Sequence, residues 1–502
     1  MPSKKIRTAA SCADDREPGV LSVAEARKHI QALLAVPQGM ERLALRDALG
    51  RVLGEDLISP MNVPAHTNSA MDGYALAGRD LPGDELKDYR MAGTAYAGAP
   101  YQGGCGNGEC VRIMTGSPMP PGTDTVVMQE HTELQADGRV RIGSGHRTGQ
   151  NVRQAGEDIA RGSRVLTAGR LLGPADLGIL ASLGRGEVSV RRRLRVAFFS
   201  TGDELRGVGE PLGDGDVYDS NRYSLYGMLK RPNVDLLDLG VVGDQPDSLR
   251  DAFRAAAAMA DVVITSGGVS VGEADHTKPV LQQLGEMNFW KIAMKPGRPL
   301  TFGRLGDAVF FGLPGNPVAV MVTFYQFVQP ALYYLASGEI YQPLTVDARC
   351  ENAIRKRPGR FEFIRGILNR SLDGTLRVAS TGQQGSGILT SMSIGNCFIL
   401  LPETCSGVAQ GEGRRGGQLP VELAGPARVP PAAGHGHRRA LEHPRGIDSV
   451  EPARLHALLE VQHERQSRDP REAQGQPGRR GAAPVGPASG GAVRRHRSPS
   501  LS

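Results

Sequence analysis

At 502 residues the chain is long for a single hydrophobic core, and a prior of one domain per ~150 residues points to about three. Its net charge of +6 would suit nucleic acid, but the excess lies in residues 413–502, where 15 Arg face 8 Asp and Glu; residues 1–412 hold 44 basic and 45 acidic side chains. The body is therefore not a basic protein, and nucleic acid is excluded as its partner.

Residues 1–19 are polar, and Met1-Pro-Ser-Lys-Lys lacks the apolar stretch of a secretory leader. Ser22-Val-Ala-Glu25 is a capping box that opens a helix running to Leu34. From 63 to 151 the pattern turns to short alternating runs separated by turn signals. Pro120-Pro-Gly122 precedes a strand at 125–129, and Ala136-Asp-Gly138 separates two further strands, which reads as a β-rich insertion. Residues 152–190 return to helical spacing through Leu171, Leu172, Leu177, Ile179, Leu180 and Leu183, and pair with 20–62 as one discontinuous domain.

Residues 191–338 read as a doubly wound α/β unit. Apolar runs at 194–199, 261–264 and 308–311 suit strands buried on both faces. They lead into Ser200-Thr-Gly-Asp-Glu-Leu205, Thr265-Ser-Gly-Gly-Val-Ser-Val-Gly-Glu-Ala-Asp275 and Gly312-Leu-Pro-Gly-Asn-Pro317. Ligands of such sheets sit beyond the strands' C-terminal ends. The run 318–336 is apolar enough to suggest a membrane span, but Gln326, Gln329 and Pro330 interrupt it, and a buried core helix is expected. Short strands return over 341–411 as a small β domain.

Beyond 412 the chain has no aromatic residue and is dense in Arg, Gly, Pro, Ala and His, so it buries little apolar surface. Two readings stand: a disordered basic extension for an acidic partner, or translation out of the original frame from about Gly411. The six cysteines show no disulfide-scaffold spacing, so reduced thiols and a cytoplasmic location are expected. Cys105 and Cys110 would be half a zinc site without a second pair.

Glu204 and Asp244 each follow a strand, and Asp275 closes the long glycine loop. Two unit charges ~5 Å apart repel by about 3 kcal/mol at an effective dielectric of ~20, so such a cluster calls for a cation, for which Mg²⁺ bridging to phosphate is suited. Gly267 and Gly268 let backbone N–H groups approach anionic oxygens. Lys291, Lys295 and Arg298 place cations in one segment; Pro296 and Gly297 favour a loop at Lys295, while Lys291 is open to helix or loop. Each acid alone would be an N-cap or a solvated loop residue. His276, beside Asp275, is read as structural.

Together, Asn68-Ser-Ala-Met-Asp-Gly-Tyr-Ala75, Arg112-Ile-Met-Thr-Gly116, Ser200-Thr-Gly-Asp-Glu204, Ser266-Gly-Gly-Val-Ser-Val-Gly-Glu-Ala-Asp275, Lys295-Pro-Gly-Arg-Pro299 and Leu313-Pro-Gly-Asn-Pro317 closely resemble the molybdopterin molybdenumtransferases of the MoeA/gephyrin family, in order over about residues 20–411. The resemblance implies a homodimer with the active site between subunits, and insertion of molybdate into adenylylated molybdopterin with release of AMP, dependent on Mg²⁺. It places functional acids at Asp72, Asp158, Glu204, Asp244 and Asp275, a hydroxyl at Thr115, and oxyanion-binding lysines at Lys291 and Lys295. Pro314 and Pro317 would shape the adjoining turn, and Arg365 and Ser386 would help hold molybdate. Other proteins of molybdenum cofactor biosynthesis are implied partners, with no membrane. The departure lies after Val408-Ala-Gln-Gly-Glu412: a final strand is expected, but the chain reads Gly413-Arg-Arg-Gly-Gly-Gln, which would leave a sheet edge unpaired. Competing functions are a non-catalytic pterin-binding scaffold and a molybdopterin adenylyltransferase.

Overall fold

The computed structural model describes residues 20–268, 276–410 and 419–423, all within one unit spanning Met1–Gly434. Asp275 and most of the basic tail lie outside the described residues.

The central sheet has seven strands, in the order Val20–Leu21, Glu286–Ile292, Pro299–Leu305, Ala308–Leu313, Val262–Ser266, Leu194–Thr201, Val234–Val242. The last four are mutually parallel, and the hairpin of Glu286–Ile292 and Pro299–Leu305 continues them antiparallel. The chain starts the parallel set at Leu194–Thr201, moves outward, and returns on its other side. The order therefore reverses between Leu194–Thr201 and Val262–Ser266, where the loops leave a crevice. One face packs Phe198, Ile264 and Phe311 against the helix Val23–Leu33 and the helical run 317–337; the other packs Phe199, Val263 and Phe310 against Pro246–Met259 and Thr277–Leu284.

The expected capping box is formed: the Glu25 amide donates to the Ser22 hydroxyl at 3.2 Å, and the Ser22 amide donates to the Glu25 carboxylate at 2.8 Å. The helix Pro317–Ser337 is long and apolar enough to cross a membrane by length and composition. Its Val318, Val320, Val322, Phe324, Phe327 and Val328 nevertheless fill the main core. Gln326, in a π turn at Phe324–Val328, is fully buried and donates to Glu422 at 2.9 Å.

The insertion forms a six-stranded sheet in the order Thr125–Met128, Gly73–Leu76, Glu109–Ile113, Lys87–Ala95, Arg139–Ile142, Thr132–Leu134. Cys110 lies in its core, where burial pushes the thiol up to about 12, and no group of three or more His, Cys, Asp or Glu that could hold a metal exists among the described residues. The segments on either side form two-stranded ribbons, such as Met40–Ala44 with Glu187–Arg191. Leu172 and Leu180, from the periodic run around the helix Pro174–Ser182, fill the core between these ribbons.

The C-terminal strands close into a small barrel. Phe361–Arg370, Leu376–Ser380, Thr345–Cys350, Leu419–Leu423 and Cys397–Leu401 pair in succession, and Cys397–Leu401 pairs back to Phe361–Arg370. This corrects the expectation that the sheet edge stays open. The closing strand is present, but it follows the Arg-Gly stretch instead of replacing it, and Leu419 and Val421 seat themselves in the barrel core. Residues 413–502 are thus not uniformly poor in core-forming side chains: the short run Leu-Pro-Val-Glu-Leu carries the alternation that a strand requires. Val421→Ala should lower the unfolding free energy by about 2 kcal/mol through the cavity it leaves, read as a fall in Tm by calorimetry. Leu372→Ser, at a position 77% exposed, should leave Tm unmoved.

Candidate active site

The loops at the C-terminal ends of the parallel strands and the facing loop of the barrel enclose a cleft of about 870 Å³. Of the expected residues, Glu204, Asp244, Gly267, Gly268, Lys295, Arg298, Pro314 and Ser386 line it. Lys291 lies on the strand Glu286–Ile292, paired with Val20, and does not line it; Pro317 begins the helix Pro317–Thr323 just behind it. Neither Lys291 nor Lys295 is helical: Lys295 belongs to the two-residue strand Met294–Lys295.

Each wall follows from local chemistry. Gly202, at φ 150°, lets the Glu204 carboxylate fold back over the backbone, since a Cβ there would lie 2.6 Å from Glu204 Oε2. Gly267, at φ 91°, closes against Thr201: a Cβ would meet the Thr201 carbonyl oxygen at 2.4 Å. The Thr201 hydroxyl lines this notch, is 3% exposed by residue, and has no hydrogen-bond partner among the described residues. Such a buried, unsatisfied hydroxyl suits a ligand that supplies its partner.

The acids are locked by their neighbours. The Asp244 amide donates to Asp203 Oδ1 at 3.0 Å, and the Asp203 amide donates to Asp244 Oδ2 at 3.4 Å. Asp203 was missed from sequence because its neighbour Glu204 drew the functional reading, although both belong to one motif. Glu204 and Asp244 offer a hard oxygen donor set. That fits Mg²⁺, which is usually bound through one or two carboxylates, substrate phosphate and water.

Three cations, Lys295, Arg298 and Arg360, line the same cleft. Arg365 does not reach the cleft surface. It is 1% exposed, donates from Nε to Ser391 Oγ at 3.0 Å and from Nη2 to the Gly385 carbonyl at 3.0 Å, and burial pulls it down to about 10. It fixes the loop that carries Gln384, Gly385 and Ser386 into the cleft. The Ser386 carbonyl accepts from the Val318 amide at 3.0 Å, tying that loop to the start of the core helix. Arg360 and Gln384 went unnoticed in the sequence because only the barrel's pairing brings them to this cleft.

Asp72, Thr115 and Asp158 do not line this cleft. Asp72 and Thr115 do meet: the Thr115 amide and hydroxyl donate to Asp72 Oδ1 at 2.7 and 2.8 Å. Arg112 stands beside them, its guanidinium 5.7 Å from the Tyr74 ring centre and donating to the Tyr74 hydroxyl at 3.1 Å. Asp158 lies apart, its amide donating to the Val63 carbonyl at 3.0 Å. His276 is exposed and precedes the helix Thr277–Leu284.

The Thr115 amide, then its hydroxyl, and then the Arg112 charge hold the Asp72 carboxyl below the usual aspartate range. Because the folded value is depressed, the pair is complete at neutral pH and opens only as pH falls through that lowered value. Carboxyl ¹³C NMR should give Asp72 a midpoint below that of an ordinary aspartate. Thr115→Ala should move the midpoint back up.

Three family models match the chain in order: the MoeA N-terminal region (domain I and II) at residues 21–184, a probable molybdopterin binding domain at 197–334, and the MoeA C-terminal region (domain IV) at 347–413. The molybdopterin molybdenumtransferase of Haemophilus influenzae is 44% identical over 394 residues, covering 78% of this chain and 97% of that protein. That of Bacillus subtilis is 33% identical, over 74% of this chain and 88% of that protein. A crystal structure of a molybdopterin biosynthesis moeA protein from Pyrococcus horikoshii OT3 superposes with a TM-score of 0.68 at 27% identity, covering 80% of this chain and 100% of that one. With the ordered motifs carried by strand-end loops and a relative matched over nearly its whole length, the chain belongs to the molybdopterin molybdenumtransferase family, enzymes of molybdenum cofactor biosynthesis.

Proposed function

We propose that the chain inserts molybdate into adenylylated molybdopterin with release of AMP, in a Mg²⁺-dependent reaction in the cytoplasm. The observation that carries this reading is the mixed charge of the cleft lining: the carboxylates of Glu204 and Asp244 together with the cations of Lys295, Arg298 and Arg360. A dianion and a phosphorylated pterin both need cations around them, and a phosphate leaving group needs its charge neutralised.

Glu204 and Asp244, with Asp275, which lies outside the described residues, would hold Mg²⁺, which would supply charge neutralisation at the phosphate. Asp203 keeps Asp244 in place through the paired amide bonds. Lys295 and Arg298 would receive oxyanion charge, while Gly267, Gly268 and the Thr201 hydroxyl, which has no partner among the described residues, would accept the pterin or its phosphate. Ser386 is presented by the loop that Arg365 braces, so Arg365 would act on molybdate through that loop. The protein contributes positioning and charge without a covalent nucleophile.

Asp72, Thr115 and Asp158 stand outside the cleft of their own chain, which supports a homodimer in which they serve the partner's cleft. Other proteins of cofactor biosynthesis would deliver the pterin and receive the product. Catalysis is favoured over a scaffold role because acids and cations line the same cleft.

Purified protein given adenylylated molybdopterin, molybdate and Mg²⁺ should release AMP. Glu204→Ala and Asp275→Ala should fold, still bind the pterin, and lose about 10²-fold or more in AMP release. Undiminished turnover in both variants, or in chelator, would refute the mechanism.

A further inference from the structure

Beside the cleft-lining Lys295 lies a carboxylate that the proposed reaction does not use. Met294–Lys295 pairs in parallel with the first residues of Phe361–Arg370, placing Lys295 beside Glu362. Glu362 is 7% exposed, and its carboxylate lies 3.7 Å from the Lys295 ammonium. The lysine side chain is 53% exposed and lines the cleft, whereas Glu362 does not reach the cleft. A negative charge set against a lysine that must attract oxyanions weakens their binding, so its place there calls for a compensating role.

We infer that Glu362 is a positioning residue, the buried counter-ion that fixes the Lys295 ammonium at the cleft and competes with oxyanions for it. The inference rests on the cleft being the oxyanion site of the proposed function. An exposed lysine samples many rotamers, and ordering it at the moment of reaction costs entropy. A buried partner on a rigid strand orders it beforehand. The same partner holds down the ammonium's attraction for molybdate in the resting site, which limits ground-state binding and leaves the interaction to strengthen as charge develops.

The test is molybdate binding, with no pterin present, measured by calorimetry on intact protein, together with AMP release. Glu362→Gln keeps the shape and removes the charge; it should tighten molybdate binding by about fivefold or more and lower kcat by about tenfold. A merely structural role would lower stability without tightening an anion. Affinity and kcat both within about twofold of the unchanged protein, or no molybdate binding by that protein, overturns the inference. In a second arm, Lys295→Met strands the buried carboxylate and should lower Tm, and adding Glu362→Gln should recover most of the loss. Equal melting of the single and double variants overturns the pair. Absence of AMP release alongside the tightened affinity would sink the proposed reaction and leave the ion pair standing. AMP release with unchanged affinity would do the reverse.

Discussion

Two sheets share one short piece of chain, and the cleft exists because of it. After Ile292 the chain leaves the central sheet, pairs at Met294 and Lys295 with the barrel strand Phe361–Arg370, and returns at Pro299. The excursion is pinned at its base, where the Ile292 amide donates to the Arg298 carbonyl at 2.8 Å, and at its side, where the Phe361 amide donates to the Ala293 carbonyl at 2.8 Å. Backbone bonds of this kind are hard to give up inside a protein. The barrel is thereby held over the ends of the parallel strands, and the basic segment becomes the seam between two folds.

Opposite charges then separate by origin. Carboxylates come from strand-end loops of the central sheet, cations from the seam and from the barrel. Behind them, Arg365 is a buried guanidinium bonded to a hydroxyl and a carbonyl. Burial lowers its pKa to about 10, so it stays charged at neutral pH while contributing rigidity to the Gly385–Ser386 loop. The donor pattern that orders this loop is the kind of supporting shell on which a positioned ligand depends.

The parallel strands were legible because burial on both faces makes continuous Val, Ile and Phe runs, and the motif loops Ser200–Leu205 and Gly312–Pro317 follow them directly. Glu204 and Asp244 were readable for the same reason. Arg360, Gln384 and Glu362 were not, because they meet Lys295 or its cleft only through pairing between strands far apart in sequence. The leucines at 171–183 signalled a helix correctly at Pro174–Ser182, but the flanking two-stranded ribbons are too short to show a period. The closing strand Leu419–Leu423 was overlooked because five residues in an Arg, Gly and Pro-rich context do not stand out by composition.

That closing strand has a consequence for the order of events during synthesis. It inserts between Thr345–Cys350 and Cys397–Leu401, both made before it, and its Glu422 accepts from Gln326, whose backbone and side-chain oxygens accept from Arg27 in the first helix. A nascent chain that has passed Leu401 but not reached Leu423 holds two strands with open edges, of the kind that pair with other chains. Completion of the barrel is thus a late, non-local step, and the first described helix must wait for the last described strand before its half-buried arginine meets the far end of that hydrogen-bond chain.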